Sequence, residues 1–411
     1  MNISNLVINT KFISMMMMLS LALLLSTAGG SIAAFAVLLL VSLVYIFTVK
    51  NKPSLDGIDK LLIFTLVFMF LTILPAFFSD GFRGRYLDLS LRDLLAVPIL
   101  LLLLYTPPKA SWLLGGAVIG SLTAFFLALY QRFYLGVPQV GGFLYSINFG
   151  YLACALAFLS LLAAIYFEKF SLKAIAIVGF VSALVAMMLT GTRGAYIAVP
   201  VLCVVLIFIY RKELGAKLII LAVVLTISLP LASYYTVPQV QMRINVLINE
   251  FTEYESGNEE QAYTSSGLRR ELWKAAAAAF KQSPIYGLNY HQREELNAQL
   301  VEEGKVIPQV LLISRGHAHN EYFEALAGRG ALGLIALLML YLVPGVVFLR
   351  KALNTKGKEK ALATAGVTFI AGFMVYGISE VPLQGNVISG CYALTVVAIY
   401  AMLKRPEASL V

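Results

Sequence analysis

Three histidines serve 411 residues, and two of them, His317 and His319, flank a single alanine in SRGHAHNEYFEALAGRGALG (314–333). Imidazole titrates near neutrality, so it is the side chain best suited to take a proton from a hydroxyl as that hydroxyl attacks. Asn320 follows at once and is a favoured helix cap, so EYFEALAGRG reads as a helix running into the next apolar stretch. Its first-turn amides and its dipole would point toward water beside the histidines. That positive potential disfavours an imidazolium and leaves the ring ready to accept a proton. The plain alternative for either histidine is an interfacial ring bonded to a carbonyl. A His-x-His metal site is the third reading, but it wants carboxylates or further histidines. All five aspartates lie between residues 56 and 93, with no Asp-x-Asp, so we expect no metal and no cofactor. Asn320 and Glu324 share a helix face, and Gly328, Gly330 and Gly333 leave room for a close helix neighbour or a lipid chain.

A second group able to do chemistry is Arg193, in the tight turn TGTRGAY between two apolar runs. A charge at that depth costs about 2–3 kcal/mol unless it meets a partner or water. Glu380, in YGISEVPLQGN, is one candidate partner, and a bound phosphate is the other.

The elements that must position these groups are membrane helices. Apolar residues make up 60% of the chain and charged residues 13%. Runs long enough to cross a bilayer recur at roughly 12–29, 31–49, 61–78, 89–105, 112–130, 144–166, 174–190, 194–210, 218–236, 329–349, 361–379 and 386–403. The expected fold is therefore an all-α polytopic membrane protein with about twelve transmembrane helices. The first run resembles a signal peptide, because TAGG looks like a cleavage site, but an apolar partner follows so closely that we read a retained helical hairpin. One large, mostly helical outer loop is expected between spans nine and ten. The chain then divides into 1–236 (spans one to nine), 237–328 (the loop) and 329–411 (spans ten to twelve and a short tail). The loop is acidic, holds all three histidines including His291, and contains two helical stretches, GLRRELWKAAAAAFKQSP and HQREELNAQLVEEG.

Lysine and arginine set the orientation. With a cytoplasmic N-terminus, seventeen basic residues fall on inner segments and five on the short outer loops, so both termini read as cytoplasmic. This sorting accounts for most of the +9 net charge and makes a nucleic-acid partner unnecessary. Cys154, Cys203 and Cys391 fall inside spans and read as buried membrane thiols. The two basic types are also sorted. The inner side carries fourteen Lys and three Arg, the outer side three Lys and eleven Arg. Topology needs only positive charge. Guanidinium adds a flat fork of donors for phosphate or carboxylate, so an arginine-rich outer face suits an anion. The alternative is that these arginines snorkel or pair with the loop glutamates.

His319-Asn320, nine residues, then Gly330-Ala-Leu-Gly333 resembles the H-N-x9-G-x-x-G signature of the O-antigen ligase and polymerase superfamily. TGTRGAY is similar to that family's Thr-x-x-Arg turn and picks Arg193. SSGLRRELW is similar to a loop segment with an arginine four residues before an aromatic, and picks Arg269 and Trp273. SPIYGLN is similar to the Pro-x-x-Gly that follows. The likeness runs from about residue 60 onward and is greatest to the lipopolysaccharide O-antigen ligases.

The resemblance implies transfer of a glycan from undecaprenyl diphosphate to the outer-core sugar of lipid A-core, at the periplasmic face of a bacterial inner membrane, without metal. It implies His319 as general base and Arg193 and Arg269 as diphosphate ligands. Arg83 and Arg85 are further candidates for donor or core phosphates. His317, Asn320, Arg315, Glu380 and Trp273 are supporting candidates. One base and one displacement would invert the anomeric centre; a retaining route needs a carboxylate pair, for which Glu321, Glu324 and Glu380 are present. Three rival readings stand beside this one. They are an O-antigen polymerase, a protein O-oligosaccharyltransferase and, in another class, a lipid-linked glycan transporter. A transporter would gather its charges at mid-membrane.

Overall fold

The computed structural model describes residues 9–50, 52–215 and 264–405, with the isolated positions 235, 241 and 245. Every regular element among them is helical. The helices are α1 (Thr10–Ala22), α2 (Gly30–Thr48), α3 (Gly57–Leu71), α4 (Leu74–Ser79), α5 (Arg85–Tyr105), α6 (Ala110–Leu129), α7 (Ser146–Tyr166), α8 (Phe170–Thr190), α9 (Arg193–Tyr210), α10 (Ser265–Gln282), α11 (Tyr290–Glu302), α12 (Glu321–Asn354), α13 (Gly357–Ser379) and α14 (Asn386–Lys404). Nine helical stretches of the described residues are long and apolar enough to cross a membrane. The chain is an all-α polytopic membrane protein. The expected ninth span, 218–236, and the expected outer loop as far as residue 263 lie outside the described residues.

Two expected spans differ in character. The run 12–29 forms only the 13-residue α1 before turning. Thr27 holds the turn that follows, because its hydroxyl bonds the Leu23 carbonyl at 2.9 Å and receives the Gly30 N–H at 3.0 Å. Hydroxyl side chains compete for backbone groups in this way and favour turns over helix interiors. The run 89–105 begins earlier than expected, at Arg85, and so carries Arg85, Asp88, Arg92 and Asp93 in its first half.

At the centre, α7 and α14 are buried almost all round, with α13 close behind. Helices α2, α8 and α9 instead expose Leu40 and Phe47, Ile175 and Val178, and Ile197 and Val204, as a lipid-facing surface does.

Helix α12 is not the single rod that the sequence suggests. Gly330 sits at φ 63, ψ −157 and breaks it. A Cβ on Gly330 would collide with the backbone of Ile285, and one on Gly287 with the backbone of Gly328 and Arg329. The neighbour that these glycines admit is therefore the turn segment SPIYGLN, rather than a helix or a lipid chain. That segment also satisfies the backbone groups freed by the break. Ala331 N–H donates to the Pro284 carbonyl at 2.8 Å, and Leu288 N–H to the Ala327 carbonyl at 2.8 Å. Irregular backbone at membrane depth survives only where protein satisfies it in this way.

Candidate active site

The loop 314–320 is held in an unusual backbone shape. Arg315 (φ 63), Gly316 (φ 61) and His319 (φ 48) are left-handed, and two of the three are not glycine. Such residues persist only where surroundings fix them. Here the surroundings are explicit. Ala318, between the histidines, donates its N–H to Glu324 Oε2 at 2.8 Å, and its carbonyl accepts from Trp273 Nε1 at 3.1 Å. Trp273 stacks on Phe323 with ring centres 5.5 Å apart. Asn320 caps α12, accepting from the N–H groups of Tyr322 and Phe323, and its amide donates to the Ile378 carbonyl at 2.8 Å. It is thus both cap and clamp, joining the start of α12 to the end of α13.

Glu324 is sealed. Its carboxylate takes a two-pronged ion pair from Arg293 of α11, at 2.7 and 3.0 Å, as well as the Ala318 N–H and the Gln384 amide. The side chains of Arg293 and Glu324 are 3% and 4% exposed. Arg293 also donates to the Gly316 carbonyl, so one guanidinium ties α11, the histidine loop and α12 together.

Glu380, just past the end of α13, faces the histidines instead. His319 Nδ1 lies 3.0 Å from Oε2 and 3.1 Å from Oε1, and His317 Nε2 lies 3.8 Å from Oε1. The His319 N–H reaches His317 Nδ1 at 3.3 Å, and the two rings meet edge to face at 4.5 Å. His317 must therefore accept at Nδ1, which fits a neutral ring. Burial moves the His317 pKa below its ordinary value, with His319 acting in the same direction against the pull of Glu324 and Glu380. Burial would raise the Glu380 carboxyl, but the His319 hydrogen bond and both imidazoles outweigh it and hold the group below the usual carboxylate range. The sequence reading counted only a helix dipole at His319; the structure adds a carboxylate in direct contact. The side chains of His319 and His317 are 32% and 27% exposed, and Glu380 only 12%. The imidazoles thus remain open where the carboxylate does not.

These three side chains bring ligand atoms within 4.8 Å of one another, so a divalent cation would find two nitrogens and a carboxylate here. In the geometry described, His319 Nδ1 is spent on the Glu380 hydrogen bond. That arrangement orients a ring and leaves Nε2 unengaged.

The histidines and Glu380 open onto a cleft of about 480 Å³, lined also by Arg85, Tyr290, Arg315 and Gln384. Arg315 lies over the Tyr290 ring at 5.6 Å, and Tyr290 stacks on Tyr86 at 4.5 Å. Arg193 and Arg269 do not line this cleft. Arg193 opens α9; its neighbour Gly194 packs against Tyr151 and Ser379, whose hydroxyls are 2.8 Å apart. Arg269 of α10 lies within electrostatic reach of Tyr151. Arg193 is therefore next in sequence to a glycine that packs on Ser379, one residue before Glu380. Arg193 does not pair with Glu380, whose carboxylate is taken by the histidines. Arg83 points away, 64% exposed beside Asp80 at 3.6 Å, and His291 pairs with Glu295 on the surface of α11.

Sequence reasoning missed Arg293, Tyr290, Gln384 and the pair Tyr151–Ser379. A weak signal existed for one: Arg293 and Asn297 are four apart on a polar helix, and both are buried. The others come together only through long-range packing.

The family model described as O-antigen ligase matches residues 178–338, a stretch that includes Arg193, Arg269, His317, His319 and Asn320. An uncharacterized protein of Haemophilus influenzae is 30% identical over 352 residues, covering 84% of this chain and 87% of that protein. An O-antigen ligase of Escherichia coli is 30% identical over 155 residues, 37% of this chain and 36% of that enzyme.

Proposed function

The chain belongs to the O-antigen ligase family, and on that premise we propose that it is a bacterial inner-membrane glycosyltransferase. It moves O-polysaccharide from undecaprenyl diphosphate to the outer-core sugar of lipid A-core. The reaction takes place on the periplasmic side, with both termini in the cytoplasm and residues 237–328 as the outward loop.

The observation that carries this reading is the contact of His319 Nδ1 with Glu380 at 3.0 Å. With Glu380 ionised, Nδ1 must hold the hydrogen, so Nε2 presents a lone pair to an incoming sugar hydroxyl. Glu380 fixes the ring and stabilises the imidazolium that forms as the hydroxyl proton arrives. It touches neither substrate and is a positioning residue. Arg193 and Arg269 hold the donor diphosphate and meet the charge that develops as it leaves. His317 braces His319 by accepting its N–H, and Asn320 and Trp273 lock the loop. Arg315 supports the cleft wall through Tyr290. One base and one displacement give inversion at the anomeric carbon. The engagement of Glu324 by Arg293 and of Glu380 by the histidines removes two of the carboxylates that a retaining route would use. The type and order of groups favour metal-free chemistry, since the cation-like role falls to the guanidiniums.

The test is complementation of a strain deleted for this gene, scored by its lipopolysaccharide ladder. The expected loss-of-function phenotype is bare core with full-length glycan retained on undecaprenyl diphosphate. Core capped by a single repeat would point to a polymerase instead. Purified enzyme should keep its activity in excess chelator, and its loss there would transfer the histidine cluster to a metal.

A further inference from the structure

Beside the histidine cleft lies a larger chamber of about 720 Å³, and the two share Arg85, Leu89, Tyr145, Asn148, Gln384 and Gly385 in their walls. They are one continuous hollow with His319 at its narrower end. The transfer reaction described above does not use the larger part.

Its lining has the chemistry of a saccharide site. Flat amides come from Asn148, Gln384 and Asn386, aromatic faces from Phe143 and Tyr145, and a guanidinium from Arg85. Sugars present hydroxyls that amides can both donate to and accept from, and apolar ring faces that stack on aromatic rings. Gln384 already donates to Glu324, but the other polar groups are uncommitted. Among the described residues the side chains of Arg85, Asn148 and Asn386 make no hydrogen bond or ion pair, while nearby Arg92 is paired with Asp88 at 3.3 Å. Phe143 and Tyr145 are 57% and 84% exposed. Unspent planar donors around a hollow are what a polar ligand replaces water on.

The chamber also lies on the correct side of the base. Ser379 turns toward Tyr151 and Gly194, the arginine side, whereas Val381, Gln384 and Gly385 turn toward the hollow. Residues 379–385 thus present Ser379 to the Tyr151 and Gly194 side and Val381, Gln384 and Gly385 to the hollow, with Glu380 between them. An in-line displacement needs the leaving group and the attacking hydroxyl on opposite faces of the reacting carbon. Neither Arg193 nor Arg269, the diphosphate ligands of the proposed reaction, lines the hollow, so the hollow is left for the hydroxyl.

We propose that this chamber is the seat of the acceptor. It takes the non-lipid end of a hydroxyl-rich oligosaccharide, and Arg85 binds an anionic substituent, a phosphate or carboxylate, on one of its sugars. This rests on the transferase reading and adds to it where the acceptor docks. The donor's own glycan is the competing saccharide, and the experiment separates the two.

Full-length protein in nanodiscs is titrated with deacylated lipopolysaccharide core oligosaccharide, with free O-polysaccharide and with undecaprenyl diphosphate. The proteins compared are wild type, Arg85→Ala, Arg85→Lys and the pair Arg85→Ala/Asn386→Ala. Arg85 and Asn386 are exposed and unbonded, so the variants should melt like wild type. Loss of a charged hydrogen bond should weaken core oligosaccharide binding about tenfold or more, and the lysine variant should fall between. Binding of undecaprenyl diphosphate and of O-polysaccharide should not change. In steady-state transfer the acceptor KM should rise while kcat at saturating acceptor stays near wild type. If the variants bind core oligosaccharide like wild type, the chamber is not the acceptor seat. If O-polysaccharide binding falls instead, the chamber belongs to the donor glycan and the assignment is overturned. If wild type binds no core oligosaccharide at all, the reading of lipid A-core as acceptor itself fails, a result distinct from both.

Discussion

Where α14 ends, Lys404 meets Asp56 at 3.0 Å and the buried Asp59, which also accepts from Tyr400 at 2.8 Å. Lys360 reaches Glu213 at 2.6 Å, Lys358 reaches Glu168 at 2.7 Å and Lys351 reaches Glu359 at 3.0 Å. At the opposite end of the helices, Arg85, Arg193 and Arg269 have no carboxylate within ion-pair distance among the described residues, although Arg83, Arg92 and Arg293 do. Both ends hold cations inside ion pairs and cations outside them, but only at one end does such a cation line a cleft, as Arg85 does beside the histidines. At the lysine end, charge fastens helices to one another. At the arginine end Arg293 does that fastening, while Arg85, Arg193 and Arg269 are among the guanidiniums outside any ion pair of the described residues. The presence of charge near a membrane surface therefore marks topology, while charge that borders a cleft beside a candidate base marks a site.

The comparison is broken most severely by removing the unspent arginines. Arg193→Ala or Arg269→Ala should lower turnover about 10²–10³-fold, the loss typical of a fixed donor to developing charge. Lysine at either position should restore part of it, since a point charge lacks the two-pronged geometry. A glycan-transfer assay on purified protein checks both. Next in size is the fastening arginine. Arg293→Ala strands the buried Glu324 carboxylate, at a cost of about 3–5 kcal/mol to docking of the loop. Pairing it with Glu324→Gln should recover much of that, as read by thermal melting and by protease cleavage within 264–320.

The break in α12 gives a smaller effect. Gly330→Ala or Gly287→Ala drives a Cβ into backbone on the facing segment, and both positions have positive φ. Each should destabilise by about 1–3 kcal/mol and lower the folded yield in membranes. Their importance is structural, which separates these glycines from the histidine in the same motif.

The smallest effect is acid sensitivity. The folded His317 binds protons less readily than the unfolded chain, so stability declines as pH falls through the ordinary histidine range. The depressed Glu380 adds a further decline below the ordinary carboxylate range. The His317 effect should loosen the loop on going from pH 7 to pH 5, and Glu380 adds to it only in stronger acid. His317→Gln should flatten the upper part of that decline in a pH series of melting temperatures.

Much of this was legible before folding. Apolar runs gave the helices, Asn320 gave the start of α12, and the scarcity of histidine drew attention to His317 and His319. What stayed hidden came from contacts across the chain. Gly330 looked like a thinning of a helix, because a break is visible only once SPIYGLN lies against it. Glu380 looked like a partner for Arg193, because nothing local says that residues 317, 319 and 380 meet. Arg85 looked secondary, because the chamber it lines is built from α5, the 143–148 segment and the 384–388 turn.

The most direct measurement sets donor binding beside transfer in the same purified preparations. His319→Ala should bind undecaprenyl-diphosphate-linked glycan like wild type yet transfer it about 10²–10⁴-fold more slowly. Arg193→Ala should lose the binding as well. Transfer by His319→Ala at the wild-type rate would contradict the assignment of the imidazole as the base.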